Sequence, residues 1–306
     1  MLNTVILKEI NMNATAKPLY FLSLILWLIF LVGLPWLYSS PLQIDSSAIE
    51  RVRVLSFLGA LAGIVCLVMG IGIQVEGSPI GVLASGRNTY SLSRLQMTLW
   101  SLLVISALMA AAACRGWALL DKGSWSTALN IGIPNELFQV MGISFFSGAA
   151  APTILALKTT TPTSPSQLST TSERMGEPVC ATGSVMNRPL SADPKLADMV
   201  QGDDVATAGT VDLSKVQQLL ITIVLVGVYF AMLANMFFVG VPSARFEGSS
   251  TEVSALPPFS QFFVNLLAIS HASYLGYKAA PRTAVGGPPS SVFVRPPTPD
   301  RSDLTN

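Results

Sequence analysis

The sequence predicts an all-α, polytopic membrane protein with six transmembrane helices, in which a two-helix unit is duplicated in parallel. Three observations lead there. Only 11% of the 306 residues are charged while 51% are hydrophobic, whereas ordinary soluble domains carry about 25% charged residues. The apolar residues gather into six runs free of Asp, Glu, Lys and Arg, over residues 18–44, 54–75, 95–114, 137–157, 216–244 and 253–277. A polar motif at the head of the third run returns at the head of the fifth.

Each run is long enough for a helix to span a bilayer, since about 20 apolar residues at ~1.5 Å rise cross a ~30 Å hydrocarbon core. Without water in the core, an open strand edge would leave its backbone unsatisfied, so helices are expected. The first run follows Lys8 and Lys17 in the manner of a signal peptide. It exceeds the length of a signal h-region and lacks a small-x-small cleavage site, which predicts an uncleaved signal anchor.

Orientation follows from the basic residues. With the N-terminus inside, 13 of the 18 Lys and Arg residues fall on the inner side, leaving Arg51, Arg53, Arg115, Lys122 and Arg245 outside. The positive-inside rule then puts both termini in the cytoplasm. Trp36, Tyr38, Trp117 and Trp125 are expected near the outer interface and Tyr277 near the inner one.

The predicted organisation is a cytoplasmic N-terminus (1–17), a transmembrane hairpin (18–76), a first two-helix repeat (77–158), a disordered cytoplasmic loop (159–208), a second repeat (209–281) and a disordered tail (282–306). The loop reads TTTPTSPSQLSTT and then mixes acidic residues with Gly, Ala and Pro without helical or strand periodicity. The tail, from the Gly-Gly-Pro-Pro stretch onward, has the composition of a chain that cannot bury a core.

The duplication rests on Ser91-Leu92-Ser93-Arg94-Leu95-Gln96 against Asp212-Leu213-Ser214-Lys215-Val216-Gln217. Ser93 with Gln96, and Ser214 with Gln217, have the Ser-x-x-Gln spacing of a capping box and are expected to cap the two helices. Arg94 and Lys215 follow directly and oppose the helix dipole, so a lipid phosphate or an acidic neighbour is expected to offset each. Further on, Gln139, Gly142, Ile143, Ser144 and Ser147 align with Asn265, Ala268, Ile269, Ser270 and Ser273. Each copy crosses twice, so both point the same way, a parallel repeat about the membrane normal. Ser56, Gly59, Gly63 and Gly70 form a small-residue face on the second span, including one Gly-x-x-x-Gly pair suited to close helix packing.

Net charge of +1, one histidine and three scattered cysteines exclude a nucleic-acid field, a multi-histidine metal centre and a disulfide framework. No nucleotide, haem or metal motif is present, so no cofactor is expected. The candidate polar site inside the membrane is His271 with Ser270, Ser273, Asn265, Gln139, Ser144 and Ser147. An intramembrane ionisable side chain is by default a functional candidate, yet a neutral imidazole satisfied by a neighbouring helix serves packing equally well.

Phe146-Ser147-Gly148 on the fourth span and His271 on the sixth resemble the serine and histidine arrangement of rhomboid intramembrane proteases. The resemblance is confined to Ser147, Gly148 and His271. Phe145 stands where that family has a glycine, and no second histidine exists to help bind an oxyanion. Gly202-Asp203-Asp204, the segment 211–217 and Ala268-Ile269-Ser270-His271-Ala272-Ser273 together resemble a group of uncharacterised bacterial multi-span membrane proteins. That resemblance runs from about Gly77 to Pro281 and implies a bacterial inner-membrane location without an activity.

The expected function is a non-catalytic anchor, sensor or assembly subunit whose partners are the lipid bilayer and either a second copy or another membrane protein. The alternative is a channel or transporter subunit with a pore lined by Gln139, Ser144, Asn265 and His271.

Overall fold

The computed structural model describes residues 14–34, 36, 46–118, 130–239 and 255–280. Seven helices of more than one turn are found among them. Four are long and apolar enough to cross a membrane: α2 (Ser46–Glu76), α3 (Leu92–Ala118), α4 (Asn135–Lys158) and α6 (Leu213–Val239). Helix α1 (Lys17–Trp27), continued by a π turn (Leu28–Gly33), forms a shorter apolar segment, and α7 (Gln261–Ala279) is 19 residues long. Helix α5 (Pro165–Met175) and a two-stranded hairpin, β1 (Cys180–Thr182) with β2 (Val185–Asn187), lie between α4 and α6. The predicted aromatic positions Tyr38 and Trp125 and the tail 282–306 lie outside the described residues.

The small-residue face of α2 is filled from within the chain. Phe30, Trp27 and Tyr20 on the first helical segment seat on Gly59, Gly63 and Gly70 in turn, and a Cβ at any of these glycines would collide with the ring above it. The Gly-x-x-x-Gly pair is therefore a socket for aromatic knobs, which antiparallel packing of α1 on α2 brings into register. Trp27 Nε1 donates to the Ala60 carbonyl at 3.4 Å.

The main core joins α2, α3, α4, α6 and α7. Trp100, Tyr229 and Phe259 form a ring cluster, with Tyr229 and Phe259 stacked at 4.7 Å between centroids, and Phe57 stacks on Phe237 at 4.9 Å. The segments that lead into α4 and α7 run side by side and in parallel, and the Leu256 N–H donates to the Gly132 carbonyl at 2.9 Å.

Residues 159–208 are folded, against the expected disordered loop. Helix α5 is closed at both ends. Ser164 Oγ accepts the Gln167 N–H, Gln167 Oε1 accepts the Ser164 N–H, and Gly176 ends the helix at φ +67°. The hairpin continues into residues 203–205, with Met186 N–H donating to Asp203 O and Val205 N–H to Ser184 O, both at 2.9 Å. Val179, Met186, Val205 and Ala208 make a small apolar core with Leu168 and Met175 against it. Arg188 is buried between Asp198, at 2.7 Å from Nη2, and Glu177, and Glu177 also holds Lys195. These residues form a cap over one end of the bundle. The segment lacks helical or strand periodicity because its core is small and its remaining contacts reach residues about a hundred positions away, which no local pattern records.

The proposed helix caps are also corrected. Helix α3 begins at Leu92, so Ser93 already lies inside it; its Oγ is buried without a hydrogen-bond partner. Gln96 faces the bundle core. Helix α6 is capped by Asp212, whose Oδ1 accepts the N–H groups of Ser214 at 3.0 Å and Lys215 at 3.3 Å. Ser214 gives its hydroxyl to the same oxygen, and Gln217 is exposed. A carboxylate satisfies orphan N–H groups and complements the helix dipole, so Asp212 displaces the serine. The Ser-x-x-Gln box is realised instead at Ser164, on α5.

Candidate functional site

Two polar centres emerge, one inside the bundle and one where the cap meets it.

The first joins α3, α6 and α7. Gln218 Nε2 donates to Gln96 Oε1 at 3.0 Å and lies 3.4 Å from His271 Nδ1. Gln96 in turn donates to Thr222 Oγ1, and Thr222 donates to the Gln218 carbonyl at 2.8 Å. With Gln218 as donor, His271 Nδ1 is the acceptor and the neutral ring carries its proton on Nε2. His271 is 2% exposed. It borders a cavity of about 330 Å³ between α4 and α7 whose other lining residues are Gly142, Ile143, Phe146, Ala268, Ala272 and Leu275, all apolar.

The predicted polar set divides. Ser144, Ser147, Ser270 and His271 are buried, whereas Gln139, Asn265 and Ser273 face outward. Asn265 Oδ1 accepts from Gln261 Nε2 at 3.1 Å, and the same nitrogen lies 3.5 Å from Gln139 Oε1, so these three make a polar strip at the cap-distal end. Ser147 Oγ and His271 Nε2 have no hydrogen-bond partner, and thus none in each other. The positions paired by the expected repeat do not share surroundings either. Arg94 is exposed and Lys215 buried, and Gln96 is buried and Gln217 exposed.

The second centre is built on Asp203. Its Oδ1 lies 2.6 Å from Arg87 Nη2, while Oδ2 lies 2.7 Å from Lys278 Nζ and 3.0 Å from Lys215 Nζ. Each cation comes from a different element: the 77–91 connection, the end of α7 and the start of α6. Beside it, Asp204 Oδ2 pairs with Lys158 Nζ, at the end of α4, at 2.8 Å. Burial opposes ionisation of Asp203, but Lys215, Lys278 and Arg87 overcome it and hold its carboxyl well below the usual range.

Backbone contacts complete the clamp. Arg87 Nη1 donates to the Met186 carbonyl at 3.2 Å, and the Arg188 N–H donates to the Arg87 carbonyl at 3.1 Å. Asn88, at φ +56°, points its amide at the carbonyls of Pro189 and Ala192, at 2.8 and 2.6 Å. Asparagine tolerates this left-handed conformation better than most residues. Lys215 and Lys278 also reach the Gln201 carbonyl and the Tyr274 hydroxyl.

None of these clamp residues belongs to the polar site expected from sequence, although Lys215, expected to meet a lipid phosphate or an acidic neighbour, meets Asp203. A signal was present: residues 159–212 hold seven acidic residues against three basic ones, while Arg87, Lys158, Lys215 and Lys278 stand at span ends on the same predicted side. An acidic segment between basic span ends predicts docking by charge. Gln218 and Thr222, four apart on an apolar helix, were likewise visible as one polar face. No group of three or more His, Cys, Asp or Glu side chains able to hold a metal occurs among the described residues. The acidic pair Asp203-Asp204 is neutralised by Lys and Arg side chains.

Helices α2, α3, α4 and α6, apolar and of spanning length, make this a helical protein compatible with a membrane. Comparison with family models, curated proteins and solved structures finds no match.

Proposed function

We propose that the chain is a six-span, non-catalytic assembly module of a bacterial inner membrane that presents its folded cap to a cytoplasmic or membrane-bound partner. The observation that carries this reading is the clamp at Asp203, which ties the cap to the 77–91 connection, the start of α6 and the end of α7 and fixes its orientation. A rigid cap suits presentation of a surface. Leu190 and Leu196 stand out from it, 96% and 63% exposed, as apolar side chains of the sort partners cover.

The six crossings are supported by the packing of α1 on α2 and of α7 between α4 and α6. Tyr20 meets Gly70 near the cap end of α2, and Lys278 reaches Asp203, so both ends of the described chain fall on the cap side. The basic residues assign that side to the cytoplasm. The parallel repeat is favoured by the equal 27-residue lengths of α3 and α6 and by the parallel approach to α4 and α7.

A photo-crosslinker at Leu190 in native membranes tests the proposal. A discrete adduct of one protein is expected, and labelling of lipid alone contradicts the reading. The second reading, a pore between protomers, is favoured by the outward-facing Gln139, Gln261 and Asn265. It predicts solute flux in liposomes that changes with Asn265→Leu, and flux equal to empty vesicles eliminates it.

A further inference from the structure

The clamp carries more positive than negative charge. Among the described residues, Arg87, Lys158, Lys215 and Lys278 form ion pairs with Asp203 and Asp204 alone. Arg94 adds a further guanidinium, bonded to the Ala84 carbonyl and without an ion-pair partner among the described residues. Of the two cations that oppose their helix dipoles, Lys215 has found its acid in Asp203. Arg94 has not.

Arg94 opens onto a cavity of about 740 Å³ between α3, α4 and the cap. Among the described residues, the charged ones that line it are Arg87, Arg94 and Lys278, and no acidic side chain does. Its opposite wall is apolar, with Ala151, Pro152 and Leu155 of α4. A second, mainly apolar cavity of about 390 Å³ follows α3 past Leu102 and Ile105 to Met109, and the two share Val82, Met97 and Thr98 in their walls. From Met97 to Met109 the helix rises about 18 Å, close to the depth of one leaflet in a ~30 Å hydrocarbon core. A cationic chamber at the membrane face therefore continues into an apolar groove of acyl-chain length.

We propose that this paired cavity binds an anionic phospholipid of the inner leaflet. The phosphate sits against Arg94, with Arg87 and Lys278, which stay paired with Asp203, adding positive potential behind it, and one acyl chain lies along α3 past Thr98. Arginine forks suit phosphate oxygens, and the groove exchanges one apolar surface for another while the headgroup supplies selectivity. The site uses the six-span placement only to put the cap at the inner leaflet and does not depend on a protein partner.

The test uses the full chain purified in detergent, incubated with equal amounts of phosphatidylglycerol and phosphatidylcholine and read by native mass spectrometry. Phosphatidylglycerol should be retained at least about fivefold over phosphatidylcholine, the scale of one basic residue near an anionic headgroup. Arg94→Gln, at an exposed position, should bring the two toward parity. Thr98→Phe, and independently Ile105→Trp, should reduce retention of both lipids by obstructing the groove, with helix content and elution volume unchanged. Millimolar inorganic phosphate should leave phosphatidylglycerol bound. Parity in the unmodified chain, selectivity that survives Arg94→Gln, groove variants without effect, or displacement by phosphate would each overturn the proposal. No partner protein is present, so failure here is separate from failure of crosslinking at Leu190.

Discussion

Arg87 Nη2 and Asp203 Oδ1 lie 2.6 Å apart although 116 residues separate them, and the same carboxylate holds Lys215 and Lys278. Removing it leaves three cations facing one another in a mostly buried site. Breaking a buried pair at one partner costs ~3–5 kcal/mol. Asp203→Ala should therefore release the cap, seen as rapid proteolytic cleavage within 176–212 while the helical bundle stays intact. Cleavage at the rate of the unmodified chain would show that the clamp contributes little.

The clamp should be insensitive to mild acid. Asp203 is held well below the ordinary carboxylate range, so its stabilising effect is complete above that range and is lost only as pH falls through the lower, folded-state value. Proteolytic protection of the cap should be the same at pH 8 and pH 5, assayed with proteases active at both. A loss of protection between these values would contradict the assignment.

Inside the bundle, Gln218→Leu should cost ~1–3 kcal/mol by leaving Gln96 and His271 Nδ1 without their partner. Replacing Gln96 as well should cost less than the sum of the two single changes, because the pair is removed together. Thermal melts of the four proteins in one detergent check this, and strict additivity would show that the two amides do not interact.

Gly63→Leu should destabilise the α1–α2 contact by ~1–3 kcal/mol, since its side chain would occupy the space of Trp27. Gly142→Leu, on α4 where a Cβ meets nothing within 4 Å, should have little effect. The contrast in melting temperature between the two variants is the readout; equal shifts would mean that Trp27 does not fill the Gly63 socket.

The long helices were legible because twenty-residue apolar runs leave few alternatives in a bilayer. The scarcity of ionisable residues in the apolar runs also pointed to His271, which the fold buries beside Gln218. What remained hidden was long-range. Asp203 looks like part of a solvated acidic linker until Arg87, Lys215 and Lys278 are brought round it by three separate chain reversals. Ser93 carries the same capping signature as Ser164, and only the start of α3 at Leu92 shows that the signature is idle there. The two Ser-x-x-Gln segments agree in spacing but not in burial, Gln96 being buried and Gln217 exposed, because spacing is read along the chain whereas burial depends on partners distant in sequence.

The docked cap is tested most directly by hydrogen exchange on the full chain in lipid nanodiscs. Amides of Met186, Arg188 and Val205, bonded to Asp203 O, Arg87 O and Ser184 O, should exchange orders of magnitude more slowly than an unstructured chain. Complete exchange of residues 180–205 within seconds, with α3 still protected, would contradict a folded, clamped cap.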